Sequence, residues 1–311
     1  MARLTVLCGG LGGSRFADAL VRAAGAGAVT VVGNVGDDLE VHGLHVSPDL
    51  DTVLYTLAGL LDEERGWGVR DETYNVRETA GRLGAETWFT LGDRDLGLHL
   101  VRTELLRAGV PLSAVFARLA ERLGVGIRLL PASDEPVRTM LATPDGELDF
   151  QTWFVRRRHA DDVLAVRYEG AAEARPAPGV LEAIAEADVC FLAPSNPFVS
   201  IGPILAVPGV ADAVAERKRP VVAVSPLVAG KALRGPLARM LETLGHEPSA
   251  LGVARLYEGL ASAFVLDPAD TALAPAVEAL GLEAVVTPVV IVDPAVRGEV
   301  GRAILDATVP A

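Results

Sequence analysis

The sequence predicts an α/β fold, a Rossmann-like and mostly parallel sheet with a helical subdomain and an inserted β-hairpin. Three observations lead there. At both ends of the chain short apolar runs alternate with segments of helical spacing, the pattern of strand–helix–strand units in a parallel sheet. Residues 72–124 read as helical with no clear strand. Residues 137–155 alternate apolar and polar on either side of Pro144-Asp145-Gly146, a hairpin signal.

Residues 3–7 (RLTVL) are the first strand. The CGGLGG loop follows, then SRFADALVRAAG, with helical apolar spacing at Phe16, Leu20 and Ala23. Residues 28–33 (AVTVVG) are a second strand and run into NVGDD. DLDTVLYTLAGLLDEE has an acidic start and apolar residues at Val53, Leu54, Leu57, Leu60 and Leu61, an amphipathic helix with a favourable N-terminus. ETYNVRETAGRL, DLGLHLVRTELLRAG and PLSAVFARLAERLG make the helical stretch, and VRTMLAT and ELDFQTWFV are the arms of the hairpin. AEARPAPG (172–179) is a connection.

Beyond it GVLEAIAEA is a helix, DVCFLAPSNP a strand ending in a loop, IGPILAVPGVADAVAERK a helical crossover and RPVVAVSPLVAG another strand and loop. PLARMLETLG is a helix, ALGVARLYEGL, ASAFVLDPAD and AVVTPVVIVD continue the alternation, and PAVRGEVGRAILDA closes as a helix. The expected organisation is one α/β unit over 1–311, with its core in 1–70 and 176–311 and a helical and hairpin insertion over about 71–175.

The formal net charge of −13 repels phosphate backbones, so a nucleic-acid partner is not expected, although backbone amides or a metal ion can still bind a small anion locally. Cys8 and Cys190 sit in or beside apolar runs without metal-ligand spacing, which predicts two buried thiols in a reducing compartment. Arg3 and the short apolar run before the glycines do not make a secretory signal, and no uncharged apolar stretch approaches the roughly 18 residues of a membrane span. The expectation is a cytoplasmic protein without a membrane partner.

Four loops follow strand ends: CGGLGGSR (8–15), GNVGDD (33–38), APSNP (193–197) and SPLVAG (225–230). In an open parallel sheet such loops share the edge at which ligands bind. The first is neither a dinucleotide fingerprint, since Arg15 stands where that motif has a small residue, nor a P-loop. Asp37, Asp38, Asp49 and Asp51 form an acidic cluster, because the intervening LEVHGLHVSP is short enough to fold back. Such a cluster at a phosphate site implies magnesium, although Asp37, Asp49 and Asp51 also suit turn and helix caps.

Ser195 and Asn196 suit a base or ribose edge, and Ser225, Gly230, Lys231 and Arg234 suit a diphosphate. Both loops also have the composition of ordinary turns or a solvated helix start. Trp88 and Phe89 offer faces to a planar ring, with Asp93, Arg94 and His99 for its polar substituents; core packing is the other fate open to the aromatics. His42 and His45 read as structural, since the oxygen-rich surroundings favour magnesium over zinc.

CGGLGGSR, NVGDD, SPDLDTVLYTL, FTLGDRDLGLHL, RLLPASDEPV, APSNPFVSIGPIL and SPLVAGKALRGP resemble, in order, the blocks of the 2-phospho-L-lactate transferases of coenzyme F-420 biosynthesis, whose bacterial members are also called phosphoenolpyruvate transferases. The resemblance runs from residue 3 to beyond 235, and the later part fits more loosely. It implies a guanosine diphosphate ester of a three-carbon acid as donor and the deazaflavin Fo as acceptor. The terminal ribityl hydroxyl of Fo attacks the phosphorus bearing the three-carbon group, GMP leaves, and magnesium assists.

By the same resemblance Asp51 and Arg94 contact Fo, and Asp37, helped by Asp49 or Asp51, holds magnesium. Gly10, Gly12 and Gly13 lie along the phosphates, and Ser195, Asn196 and the loop from Ser225 to Lys231 hold the guanosine diphosphate part. Asp51 is placed to take the proton of the hydroxyl, so Asp51→Asn is expected to keep the fold and to lower turnover at least about a hundredfold. The family is dimeric, which implies a homodimer. LEVHG follows NVGDD where relatives often carry an aromatic, and the high Ala, Gly and Arg content points to a high-GC bacterium and so to the enolpyruvyl donor.

Two other readings share the sheet. A nicotinamide-dependent oxidoreductase is opposed by Arg15 and by Asn34, which stands near where a ribose-binding acid belongs. A non-catalytic nucleotide sensor has no need of the acidic cluster.

Overall fold

The structure is a computed structural model and describes residues 2–232 and 235–309; Arg234, named above for a diphosphate, lies outside the described residues. Its strands are β1 (Leu4–Cys8), β2 (Val29–Gly33), β3 (Leu39–Val41), β4 (Leu44–Val46), β5 (Arg128–Pro131), β6 (Arg138–Thr143), β7 (Gly146–Asp149), β8 (Ala165–Glu169), β9 (Val189–Leu192), β10 (Val221–Val224), β11 (Leu227–Val228), β12 (Lys231–Ala232), β13 (Ala263–Leu266) and β14 (Glu283–Val286). The first helices are α1 (Gly10–Ala24), α2 (Pro48–Leu57), α3 (Asn75–Arg82), α4 (Asp93–Arg107) and α5 (Leu112–Arg122).

Seven strands form the main sheet in the order β14-β13-β10-β9-β1-β2-β5, all parallel. The residues of β1, β9, β10 and β13 are buried throughout, as strands covered by helices on both faces must be. The chain runs outward from β1 through β2 to β5, then returns to the other side of β1 as β9. The carboxyl ends of β1 and β9, paired through Leu7 and Leu192, are therefore the switch point of the sheet.

Helix α1 buries Phe16 and Leu20, and Phe16 meets Phe191 of β9 edge to face at 5.5 Å. Its outer side packs on the C-terminal helix Arg297–Thr308, where a Cβ on Gly301 would overlap the backbone of Ala19. No helix among the described residues is long and apolar enough to cross a membrane.

Three details depart from the sequence reading. The insertion expected over 71–175 is not wholly outside the core, since β5 within it is the edge strand beside β2. Arg-Leu-Leu-Pro is too short to show a period, and Pro131 is tolerated because an edge strand lacks a second neighbour. The glycine run is also not a loop: α1 begins at Gly10, so Gly10, Gly12 and Gly13 stand in its first turns.

Third, the hairpin arms β6 and β7 pair as far as Met140 and Asp149, but FQTWFV then leaves the sheet for a wide helical turn, Thr152–Arg156. That turn buries Trp153 against Leu141, Val163, Val199 and Met240, and β8 takes the free side of β6 instead. Alternation alone could not separate these outcomes.

Candidate active site

The site is built on the switch point. Helix α1 leaves β1 without a connecting loop, and its N-cap, Gly9, has no side chain, so the first-turn amides face the end of the sheet. Glycine is required there for close approach. A Cβ on Gly12 would stand 2.6 Å from the carbonyl oxygen of Pro194, and one on Gly13 would stand 2.5 Å from Ser195 Oγ and 2.6 Å from Cys8 Cβ. Ser195 ties the two strand ends together: its Oγ donates to the Gly9 carbonyl at 2.7 Å and accepts from the Gly9 amide at 3.3 Å. Asn196 caps the turn that follows, accepting from the amides of Phe198 and Val199.

The acidic segments do fold together. β3 and β4 form a tight hairpin through His42 and Gly43, both with positive φ (52° and 76°), and this brings Asp38 and Ser47 within 2.8 Å. The four aspartates then divide into two pairs. Asp37 and Asp49 are buried beside each other under Asn34, whose Nδ2 donates to Asp49 Oδ2 at 2.9 Å and to Asp37 Oδ1 at 3.4 Å. Gln151 Nε2 donates to Asp37 Oδ2 at 3.0 Å. Burial first, then the charge of Asp49, pushes the Asp37 carboxyl well above its ordinary range. Burial raises Asp49 to about 6 against hydrogen bonds from Asn34 and the Gly10 amide. Two carboxyls so placed do not both stay ionised without a cation.

Asp38 and Asp51 face the other way. Burial lifts Asp38 to about 8, although Ser47 Oγ donates to it. Asp51 forms a two-pronged ion pair with Arg102, which is fully buried and lies over the ring of Phe116 at 4.8 Å. Behind Arg102, His99 Nε2 lies 3.0 Å from Asp95, which also accepts from the Tyr55 hydroxyl. Among the described residues no group of three or more His, Cys, Asp or Glu side chains is arranged to hold a metal ion. The set Asp37, Asp49 and Asp51 is thus split, with two members together and the third on Arg102.

A cavity of about 660 Å³ opens over the first pair. Of the residues singled out in the sequence, Gly10, Gly12, Asp37, Asp49, Ser195, Asn196 and Ser225 line it. Gly13 is packed under Ser195, and Ser225 Oγ spends its bonds on Leu227 of its own loop. Gly230, at φ 71°, forms the turn between β11 and β12, and Lys231 is exposed beyond it.

Trp88 stands edge-on to Phe89 at 5.7 Å, and it is Phe89 that reaches the cavity. Asp93 holds the start of α3 instead, accepting from Thr73 Oγ1 at 2.6 Å and from the amides of Asn75 and Val76; these bonds hold its carboxyl down at about 2. Arg94 is exposed, with Nη1 on the Arg70 carbonyl at 3.2 Å.

Sequence reasoning did not find Gln151, Phe150, Phe154, Arg158 or Trp67 on the cavity wall. The signal was present in FQTWFVRRRH, a dense aromatic and basic run beside a hairpin. Read as a strand, it put alternate side chains on opposite faces and hid the cluster.

A sequence model of the family described as 2-phospho-L-lactate transferase CofD matches residues 4–286. The chain belongs to this family. The match spans every strand of the main sheet and every cavity residue named above. CofD membership makes the chain a transferase, which displaces the oxidoreductase and sensor readings. Among the relatives of this CofD chain is the phosphoenolpyruvate transferase of Streptomyces griseus, 47% identical over 297 residues, which are 94% of this chain and 93% of the relative. The phosphoenolpyruvate transferase of Mycolicibacterium smegmatis is 42% identical over 320 residues, covering 98% of each. The crystal structure of a UPF0052 family member from Bacillus halodurans shares the fold, with a TM-score of 0.64 over 98% of each chain at 18% identity.

Proposed function

We propose that the chain is a phosphoenolpyruvate transferase of coenzyme F-420 biosynthesis. It moves the phosphoenolpyruvyl group from its guanosine diphosphate ester to the terminal hydroxyl of Fo and releases GMP. The hydroxyl oxygen forms a bond to the phosphorus bearing the enolpyruvyl group. The bond from that phosphorus to the bridging oxygen breaks, the oxygen leaves with GMP, and the hydroxyl proton passes to water. The names of the relatives favour the enolpyruvyl over the 2-phospholactyl donor.

The observation that carries the reading is the Asp37–Asp49 pair set against the N-terminus of α1 at the switch point. The amide of Gly12 suits a phosphate oxygen, the Gly10 amide being engaged by Asp49, and Ser195 and Asn196 fix the strand end beside them. Two buried carboxylates beside such a site fit a hard divalent cation, and Asp37 and Asp49 would hold magnesium. Magnesium bound there supplies neutralisation of the charge that builds on the phosphates. Asn34 and Gln151 fix the direction of the two acids.

Asp51 is a positioning residue in this reading. It pins α2 to α4 through Arg102 and so sets the place of Asp49, one half-turn earlier on the same helix. A strong base at the hydroxyl is not required, because phosphoryl transfer is loose and the proton leaves late. Phe89, Trp67 and Phe154 offer apolar walls for the deazaflavin ring. The reading includes a homodimer acting in the cytoplasm; the open edge of β14 and the exposed Val286, Val290 and Val292 beside it favour a second copy at that edge.

The test is turnover read by mass. Purified protein, magnesium and Fo are mixed with either the enolpyruvyl or the 2-phospholactyl guanosine diphosphate ester. Product from the enolpyruvyl donor supports the reading, product from the lactyl donor alone reassigns the donor, and no product from either removes the reading.

A further inference from the structure

Three consecutive arginines, Arg156 to Arg158, begin at the last residue of the helical turn Thr152–Arg156, and they have different fates. Arg156 Nη2 meets Glu86 at 2.9 Å, and its guanidinium lies over Trp88. Arg157 is held by Asp161 at 2.6 Å and Asp145 at 2.9 Å. Arg158 enters no ion pair among the described residues and lines the rim of the cavity. The other arginine on the wall, Arg15, is engaged with Glu63 at 2.8 Å.

The backbone sets Arg158 apart. Arg158 and His159 both adopt left-handed conformations, with φ of 53° and 43°, which side chains other than glycine rarely take. The conformation is held from below. The His159 amide donates to the Trp153 carbonyl at 2.8 Å, the His159 ring stacks on Phe154 at 5.5 Å, and Trp153 is buried. The turn reverses the chain after Arg157 and brings Arg158 to the cavity while Arg156 and Arg157 stay on their outer partners.

We infer that Arg158 binds the carboxylate of the donor's three-carbon group and so makes the site select an acid-bearing diphosphate over the plain nucleotide diphosphate. The inference rests on the transferase reading above. The donor carries two kinds of anion. Its phosphates have the α1 amides and a cation held by Asp37 and Asp49. Its carboxylate is repelled by those same acids and needs a separate positive partner. A planar guanidinium without an acid of its own matches a carboxylate in shape and charge.

The test compares equilibrium binding of the enolpyruvyl guanosine diphosphate ester and of GDP to the unaltered protein and to Arg158→Gly and Arg158→Lys. Glycine accepts positive φ freely, so Arg158→Gly keeps or raises the melting temperature and removes only the side chain. The expected result is a fall of about 10- to 100-fold in the donor-to-GDP affinity ratio for Arg158→Gly, the range for a lost hydrogen bond to a charged group, with partial recovery in Arg158→Lys. GDP affinity itself stays unchanged. An unchanged ratio overturns the inference, and so does an equal loss for both ligands, which would place Arg158 on a phosphate. Turnover by the unaltered protein tests the transferase reading separately, since the binding ratio does not depend on it.

Discussion

The side-chain amide of Asn34 bridges Asp37 and Asp49, at 3.4 Å from one carboxylate and 2.9 Å from the other. One neutral donor shared by two buried acids orients both and neutralises neither. Asn34 follows the last residue of β2 and Asp49 lies in the first turn of α2, so the pairing also fixes the helix to the end of the sheet.

Asp49→Asn should therefore separate function from folding. Replacing one acid removes the cost of burying the pair's charge, so the melting temperature without metal stays level or rises. The rise that magnesium gives the unaltered protein should vanish, and turnover should fall at least about a hundredfold, since several kcal/mol of charge stabilisation is lost. Melting curves with and without magnesium, beside turnover, read both effects; full activity in the variant would take the pair out of the mechanism.

Asp51→Asn behaves differently. It strips the acid partner from Arg102, which is 0% exposed, and leaves a buried charge uncompensated. Urea unfolding should show a loss of about 3–5 kcal/mol, and Asp51→Leu with Arg102→Met together should recover much of it. The sequence alone led to an intact fold for Asp51→Asn; the buried partner, distant in sequence, reverses that expectation.

Gly12→Ala should shift the start of α1 away from β9, because the new methyl would stand 2.6 Å from the Pro194 carbonyl oxygen. The cost should be about 1–3 kcal/mol, with a loss of nucleotide affinity. Gly27→Ala meets nothing within 4 Å and serves as the control, with little change in either.

Asp93 gives a pH signature. Its hydrogen bonds to Thr73, Asn75 and Val76 lower its carboxyl from 3.8 to about 2, so its hold on α3 is complete above about pH 4 and is lost as pH falls toward 2. Amide exchange at Asn75 and Val76, corrected for intrinsic rates, should speed up between pH 5 and pH 3 only in part and fully below about pH 2. In Asp93→Asn it should be fast at every pH; the same protection in that variant would show that α3 is held by other contacts.

Much of this was legible in the sequence, for identifiable reasons. β1, α1, β2 and the strands from β9 onward announce themselves through apolar runs and turns, and their loops fall at one edge by the rule for parallel sheets. The folding-back of 39–46 followed from its short length and brings the segments of Asp37 and Asp49 together, while Ser195 was read separately from the loop after β9. Partner choice was not legible. Nothing local marks Asp51 for Arg102 or Asp93 for Thr73, since these bonds join residues 51 and 20 positions apart. The same limit hid β5, whose pairing depends on β2, and the turn that carries Arg158 to the cavity.

The most direct test of the central claim is a single-turnover experiment with Fo and the enolpyruvyl guanosine diphosphate ester, scoring phosphoenolpyruvyl-Fo and the released nucleotide together across magnesium concentrations. The account predicts magnesium-dependent product with GMP in equal amount, and neither from Asp49→Asn. Release of GDP in place of GMP, or undiminished turnover without magnesium, would contradict it.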